Sequence, residues 1–292
     1  MIAGVDLGGT QVRVALARSD GQIVDVARTL TPSLRGPEGL VSWVATQLEQ
    51  RAGGRKLKSV GIGSPGPVDP ARGVLVNPPN LRGWKSNVPL ARLLSDAVGV
   101  PVHLENDANL AGLGELHQGA GQGSRNLVYV TWSTGIGAGV IIDKRLYSGA
   151  HGAAGEFGHT ILDPDGSLCG CGQRGCLETL AAGWAIAAHT GRPAIDVFHA
   201  AGQGDHESRL VVTRAARYVG LGLINLANLF DPELIVLGGG IVRSWRLVHA
   251  TLSETLRTSP FVTPRRRPAI RRAKLGEATG LVGAVEWARA NI

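Results

Sequence analysis

"IAGVDLGGTQVRVALA", residues 2–17, reads as a strand, a glycine turn and a second strand. Apolar residues fill positions 2–5 until Asp6, "LGGT" supplies the turn, and Val12, Val14 and Leu16 alternate with other residues along the return. A Ser-Asp-Gly turn at 19–21 leads into a third extended run, "QIVDVART", at 22–29. A helix pattern, "PEGLVSWVATQLEQ" at 37–50, and an apolar strand, "SVGIG" at 59–63, follow. An antiparallel meander that passes into helix and strand is the opening of an α/β domain.

The same cadence returns in the second half as "NLVYVTW" at 126–132, the glycine turn "STGIGAG" at 133–139 and the strand "VIID" at 140–143. Two copies of one pattern suggest an internal duplication with a cleft between the halves. The handover is expected near residues 107–120, and 292 residues suit two lobes better than one small core. Between the copies lie a long Pro/Gly loop from Ser64 to Pro89, a short helix near 90–97, and the strand "VPVHL", which ends in "ENDAN" at 105–109 and enters a helix bearing Leu110, Leu113 and Leu116. Later come a long helix over about 205–230, the strand and turn "ELIVLGGGI" at 233–241, and a last helix over about 280–291.

Composition narrows the class. Hydrophobic residues make up 43%, charged residues 18%, and Gly counts 42, which fits a loop-rich globular enzyme rather than a disordered or fibrous chain. No stretch approaches the length of a membrane span, and Asp6 stands where a signal peptide needs an apolar run, so a cytoplasmic protein without a membrane partner is expected. The net charge is +7, with much of the excess in "PRRRPAIRRAK" at 264–274. No aromatic residue interleaves with these arginines, so a solvated basic edge is favoured over a nucleic-acid surface.

All three cysteines fall within "CGCGQRGCLE", residues 169–178. An odd, tightly clustered set argues against a disulfide framework. Thiolates at Cys169, Cys171 and Cys176 can occupy three corners of a zinc tetrahedron, and His159 in "GEFGHT" is the nearest candidate for the fourth. Buried free thiols are the alternative, because the C-x-C step is tighter than common zinc spacings.

Other motifs keep two readings each. Asp6 with Gly8 and Gly9 marks either a phosphate cradle or a tight hairpin. Asp107 is either a helix N-cap or a carboxylate at the carboxyl end of a strand, placed to accept a proton from a hydroxyl nucleophile. Glu156 and Glu178 flank the cysteine cluster and suit sugar hydroxyls or are plain surface charge. Asn80 and Trp84 in "PPNLRGW", residues 78–84, suit sugar contact or an ordinary turn.

In this order, "DLGGT", "ENDAN", "STGIGAG", "GEFGH" and "CGCGQRGCLE" resemble the ROK family of sugar kinases and repressors over nearly the whole chain. The resemblance implies an α/β, two-lobed actin/hexokinase-like (ribonuclease H-like) fold with a central cleft. Residues 1–115 would form the first lobe, 116–280 the second with the zinc motif, and a helix over 281–292 would return to the first. It further implies ATP- and Mg²⁺-dependent phosphorylation of a hexose 6-hydroxyl, glucose being the first expectation. N-acetylmannosamine or N-acetylglucosamine kinase is the alternative, and a sugar-binding regulator without catalysis the third reading.

Carried over position by position, Asp107 would be the general base. Asn80, Asn106, Asp107, Glu156, His159 and Glu178 would contact the sugar. Gly8, Gly9, Thr10, Thr134, Gly135 and Gly239 would contact the nucleotide, with Asp6 helping to place Mg²⁺. Structural Zn²⁺ would be held by His159, Cys169, Cys171 and Cys176. Two positions depart from the family pattern: Gln11 stands where Lys is frequent, and Ala138 where a third glycine is common. Family repressors carry an N-terminal helix-turn-helix, whereas this chain enters "VDLGGT" at once, so nucleic acid is not expected as a partner. A homo-oligomer, dimer or tetramer, is.

Overall fold

The computed structural model describes residues 1–78, 81, 84 and 86–292, with Ser33 through its backbone alone. The chain divides into two compact units, one of Met1–Gln122, Leu146–Ala154 and Glu277–Ile292, the other of Gly123–Arg145 and Gly155–Gly276.

In the first unit, β1 (Ile2–Leu7), β2 (Gln11–Ala17) and β3 (Ile23–Leu30) form the meander, followed by α1 (Pro37–Ala52) and β4 (Val60–Ser64). The long loop contains a small hairpin of β5 (Val68–Asp69) and β6 (Val74–Leu75); then come α2 (Leu90–Val98), β7 (Val102–Asn106) and α3 (Asp107–Gln118). The sheet order is β3-β2-β1-β4-β7, with β1 antiparallel to β2 and parallel to β4, and β4 parallel to β7. The central strands β1 and β4 are buried on both faces apart from Asp6, which is why both read as continuous apolar runs. Proline at the start of α1 and left-handed Gly53 at its end set that helix's limits.

The second unit repeats this order. It comprises β8 (Leu127–Trp132), β9 (Ile136–Ile142), β10 (Arg145–Leu146), α4 (Leu177–Ala181), α5 (Gly183–Thr190), α6 (Ala194–Gln203), α7 (His206–Phe230), β11 (Leu234–Gly238), α8 (Trp245–Arg257) and β12 (Ala269–Arg272). Its sheet runs β10-β9-β8-β11-β12, with β8 antiparallel to β9 and parallel to β11. Trp132 is fully buried at the end of β8, donates its indole N–H to the Ala181 carbonyl at 2.8 Å, and meets Phe198 edge-on at 6.3 Å. The second glycine turn is shorter than its sequence suggests: Ile136 already pairs with Trp132, so only Ser133–Gly135 turn and "IGAG" belongs to β9. Ala138 therefore lies in the strand, not the turn.

The last helix, α9 (Thr279–Ala290), packs in the first unit against α3, β1 and β4. A Cβ at Gly283 would overlap the Leu110 carbonyl, and one at Gly61 the Ala284 carbonyl, so these glycines let the α9 backbone lie directly on helix and sheet. Burial of α3 on all sides, from Ala108 to Leu116, follows from this packing.

The unit limits differ from the expected 115, 116–280 and 281. Gly119 and Gly121 donate back to the Glu115 carbonyl at 3.1 and 2.9 Å, which keeps the chain in the first unit through Gln122. Residues 146–154, beginning with the second residue of β10, also leave the expected second lobe and pack with the first unit, where Ser148 reaches Glu105. The expectation that no segment has the length of a membrane span is likewise corrected. By length and composition α7 would pass, at mean hydropathy 1.2, but half of that stretch is buried inside the protein. Val212, Ala216, Val219 and Leu223 place its apolar stripe in the core of the second unit.

Candidate functional site

In the first unit the turn after β1 is closed by the Gly8 N–H on the Gln11 carbonyl at 2.9 Å. Thr31 braces it from the end of β3, its hydroxyl donating to Gly8 O at 2.7 Å and its N–H to Thr10 O at 2.9 Å. Gly9 and Thr10 are exposed at the tip. The departure at Gln11 thus leaves the turn intact, since its backbone does the closing. Asp6 pairs directly across the ladder with Arg13, whose guanidinium bonds both the Asp6 carboxylate and the Glu277 carbonyl. Burial raises the Asp6 pKa, and Arg13 opposes that rise.

At the junction of β7 and α3, Asn106 and not Asp107 is the N-cap. Its Oδ1 accepts from the N–H groups of Ala108 at 2.8 Å and Asn109 at 3.3 Å. Asp107 is the first helical residue, its Oδ1 accepting from Ala108 at 2.8 Å, so a carboxylate stands at the positive end of α3. Beneath this turn Glu105 is 1% exposed. Its Oε1 accepts from the Asn106 N–H at 2.8 Å and from Asn109 Nδ2 at 2.9 Å, and Ser148 Oγ reaches its Oε2 at 3.1 Å. Burial pushes the Glu105 pKa up against these hydrogen bonds. Asn80 lies outside the described residues.

In the second unit, Ser133–Gly135 and Gly239 come together at the carboxyl ends of the neighbouring parallel strands β8 and β11. Gly239 has φ +92°, and a Cβ there would overlap the Trp132 carbonyl, so the chain needs glycine at that point. The first two N–H groups of α5 cap the turn: Gly183 donates to Ser133 O at 2.9 Å and Trp184 to Thr134 O at 3.1 Å.

The ligand atoms of His159, Cys169, Cys171 and Cys176 all lie within 4.8 Å of one another. Cys169 Sγ is 3.6 Å from His159 Nδ1, and Cys171 Sγ is 3.7 Å from Cys176 Sγ. Tetrahedral zinc with ordinary bond lengths requires S···N of about 3.6 Å and S···S of about 3.8 Å. These residues therefore fit a zinc ion, and the sulfur separation is far too long for a disulfide. Burial pushes the Cys176 thiol up to about 12, whereas a hydrogen bond from the Gln173 backbone lowers Cys171. Several thiolates this close need a cation among them.

The other ring nitrogen of His159, Nε2, lies 3.9 Å from Glu156 Oε2. Glu178, in the first turn of α4, is not the loose surface charge of the blander reading. Its Oε2 accepts from the Ile136 N–H at 2.9 Å and its Oε1 from the Trp184 indole N–H at 3.2 Å. The candidate sugar contacts thus form two sets: Asn106 and Asp107 in the first unit, and Glu156, His159 and Glu178 around the metal cluster in the second. Sequence reasoning passes over Arg13, Glu105, Ser148 and Trp184. For Arg13 a signal exists, because a turn closed between residues 8 and 11 puts 13 opposite 6.

The ROK family model matches residues 2–291. The glucokinase of Streptomyces coelicolor is 35% identical over 98% of this chain and 96% of its own. An N-acetylmannosamine kinase of Yersinia pestis is 33% identical over 99% and 98%. Among solved structures, a ROK hexokinase from Thermus thermophilus superposes with TM-score 0.86 at 38% identity, covering 99% of this chain and 98% of that one. A ROK family glucokinase from Streptomyces griseus, in complex with glucose and AMPPNP, gives TM-score 0.81 at 35% identity and covers 99% of both chains.

Proposed function

The chain belongs to the ROK family, and from that premise we propose that it is an ATP-dependent hexose kinase that phosphorylates the 6-hydroxyl of glucose. The observation that carries this reading is Asp107, a half-buried carboxylate presented at the end of β7 by the first turn of α3. A general base in that position deprotonates a sugar hydroxyl as it attacks the γ-phosphate. Asn106 orients the same turn. In the second unit Glu156, His159 and Glu178 offer acceptors and a donor suited to sugar hydroxyls, held on one platform by the zinc cluster. Zinc here is structural: it neutralises the thiolates and fixes the loop that carries His159.

The turns at Gly8–Thr10 and Ser133–Gly135, together with Gly239, suit the phosphates and nucleotide of ATP. Mg²⁺ accompanies the ATP phosphates and offsets their charge. Asp6 is the carboxylate closest in sequence to the first turn and, paired with Arg13, would help to place that cation. N-acetylmannosamine kinase is the second reading, favoured by the relative from Yersinia pestis.

A coupled ADP-release assay with ATP and Mg²⁺ across glucose, mannose, N-acetylglucosamine and N-acetylmannosamine tests the proposal, with Asp107→Asn as control. Glucose turnover abolished in the control is the expected result. Preference for an acetylated sugar transfers the assignment to the second reading, and no turnover with any sugar overturns both.

A further inference from the structure

Trp184 is the second residue of α5, and 38% of its surface is exposed although it is a large aromatic side chain. It bonds in two directions. Its backbone N–H donates to the Thr134 carbonyl at 3.1 Å, and its indole N–H donates to Glu178 Oε1 at 3.2 Å. The other oxygen of Glu178 accepts from the Ile136 N–H at 2.9 Å, one residue beyond the same turn. A closed circuit results: Glu178, Ile136, the turn Ser133–Gly135, Trp184 and back to Glu178. It joins a candidate sugar carboxylate to a candidate nucleotide turn entirely within the second unit.

We infer that Trp184 is a positioning residue for sugar affinity, fixing the direction in which Glu178 presents its carboxylate. The inference rests on the sugar-kinase reading above and extends it. A carboxylate oxygen holds two acceptor sites, so one engaged by a fixed N–H leaves the other pointing in a set direction. With both oxygens engaged, the carboxyl plane cannot rotate, and a sugar hydroxyl meets an acceptor that is already oriented. Indole suits this role because it is rigid, carries one donor, and has only two side-chain torsions to restrain. Because the Thr134 contact uses the backbone, replacing the side chain should leave the nucleotide turn in place.

The test compares wild type with Trp184→Phe, which keeps an aromatic ring but lacks the N–H, and with Trp184→His, which restores a ring donor. Steady-state kinetics and calorimetry use glucose, with N-acetylmannosamine in parallel. Loss of a single hydrogen bond to a solvent-accessible carboxylate corresponds to about a 3- to 10-fold rise in the sugar KM and Kd. That rise is expected in Trp184→Phe, with kcat and the ATP KM within about twofold and partial recovery in Trp184→His. Unchanged sugar KM in Trp184→Phe overturns the inference while leaving the kinase reading intact. Equal losses in the ATP KM, kcat and melting temperature also overturn it, since they mark a merely structural role. A wild-type protein that binds neither sugar overturns the functional reading and this inference with it.

Discussion

His159 Nδ1 and Cys169 Sγ stand 3.6 Å apart, the separation of two ligands on a single zinc ion. The backbone around them is arranged to the same end. Cys169 donates its N–H to Gln173 O at 2.7 Å, Gly172 donates to Cys169 O at 2.9 Å, and isolated bridges join Ile161 to Cys176 and Leu168 to Arg174. Little apolar burial supports this loop at Ile161 and Leu168, which are 51% and 62% exposed, so a bound ion would add to its order.

Purified protein is therefore expected to carry one zinc per chain by atomic emission, and Cys171→Ser to carry far less. Because His159 sits on the same loop as Glu156, metal loss should raise the glucose Kd by about tenfold or more, as measured by calorimetry. Full zinc content in Cys171→Ser would remove that cysteine from the ligand set.

Asp107→Asn keeps the size of the side chain and the acceptor for the Ala108 N–H, so the α3 turn should stay folded. The variant loses only the ability to take a proton. The kcat is expected to fall about 10²- to 10⁴-fold, the range general-base catalysis provides, with the glucose Kd within a few-fold of wild type. Turnover close to wild type would take the base assignment away from Asp107.

Much of this is legible in the sequence, for reasons that differ by element. The strands β1, β4 and β8 and the helix α7 declare themselves by apolar runs and period, and the clustering of the cysteines with His159 locates the candidate metal set. The N-cap lies at Asn106, one residue before Asp107, for which capping is one of two readings. Asp107 and Asn106 are equally good caps by type, and only the extended backbone of Asn106, at φ −66° and ψ 143°, decides between them. Glu105 cannot be read from sequence as the centre of a network, because Ser148 lies 43 residues away and arrives through a segment that changes unit. Trp184 escapes for the same reason: its partners belong to a turn and a helix that only the fold brings together.

Glu105 gives a prediction about pH. Its folded pKa is raised by burial, so between its unfolded and folded pKa values the native state binds more protons than the unfolded state. Stability from this group is then greatest below the unfolded value and is lost as pH rises through the folded one. Glu105→Gln removes the titration. Its amide oxygen can still accept from Asn106 and Asn109, and its NH₂ can donate to Ser148. The melting temperature of wild type relative to Glu105→Gln should fall as pH rises from the acid side towards neutrality, leaving the variant equal or higher at pH of about 7.5. A constant difference across that range would show that Glu105 does not titrate there.

Gly239 tests the nucleotide side of the assignment. At φ +92° an alanine is strained whatever its surroundings, and its Cβ would also overlap the Trp132 carbonyl at the end of β8. The backbone after β11 must then shift away from the turn at Ser133–Gly135. The sugar-side groups Glu156 and His159 are positioned by the cysteine loop, which this shift does not involve. Gly239→Ala is therefore expected to raise the ATP KM about tenfold or more, with glucose affinity by calorimetry near wild type. The strain should also lower the melting temperature, since an incompatible Gly→Ala change costs about 1–3 kcal/mol. Matching losses for ATP and glucose would mean that the shift spreads through the whole second unit, and an unaltered ATP KM would remove Gly239 from the nucleotide site.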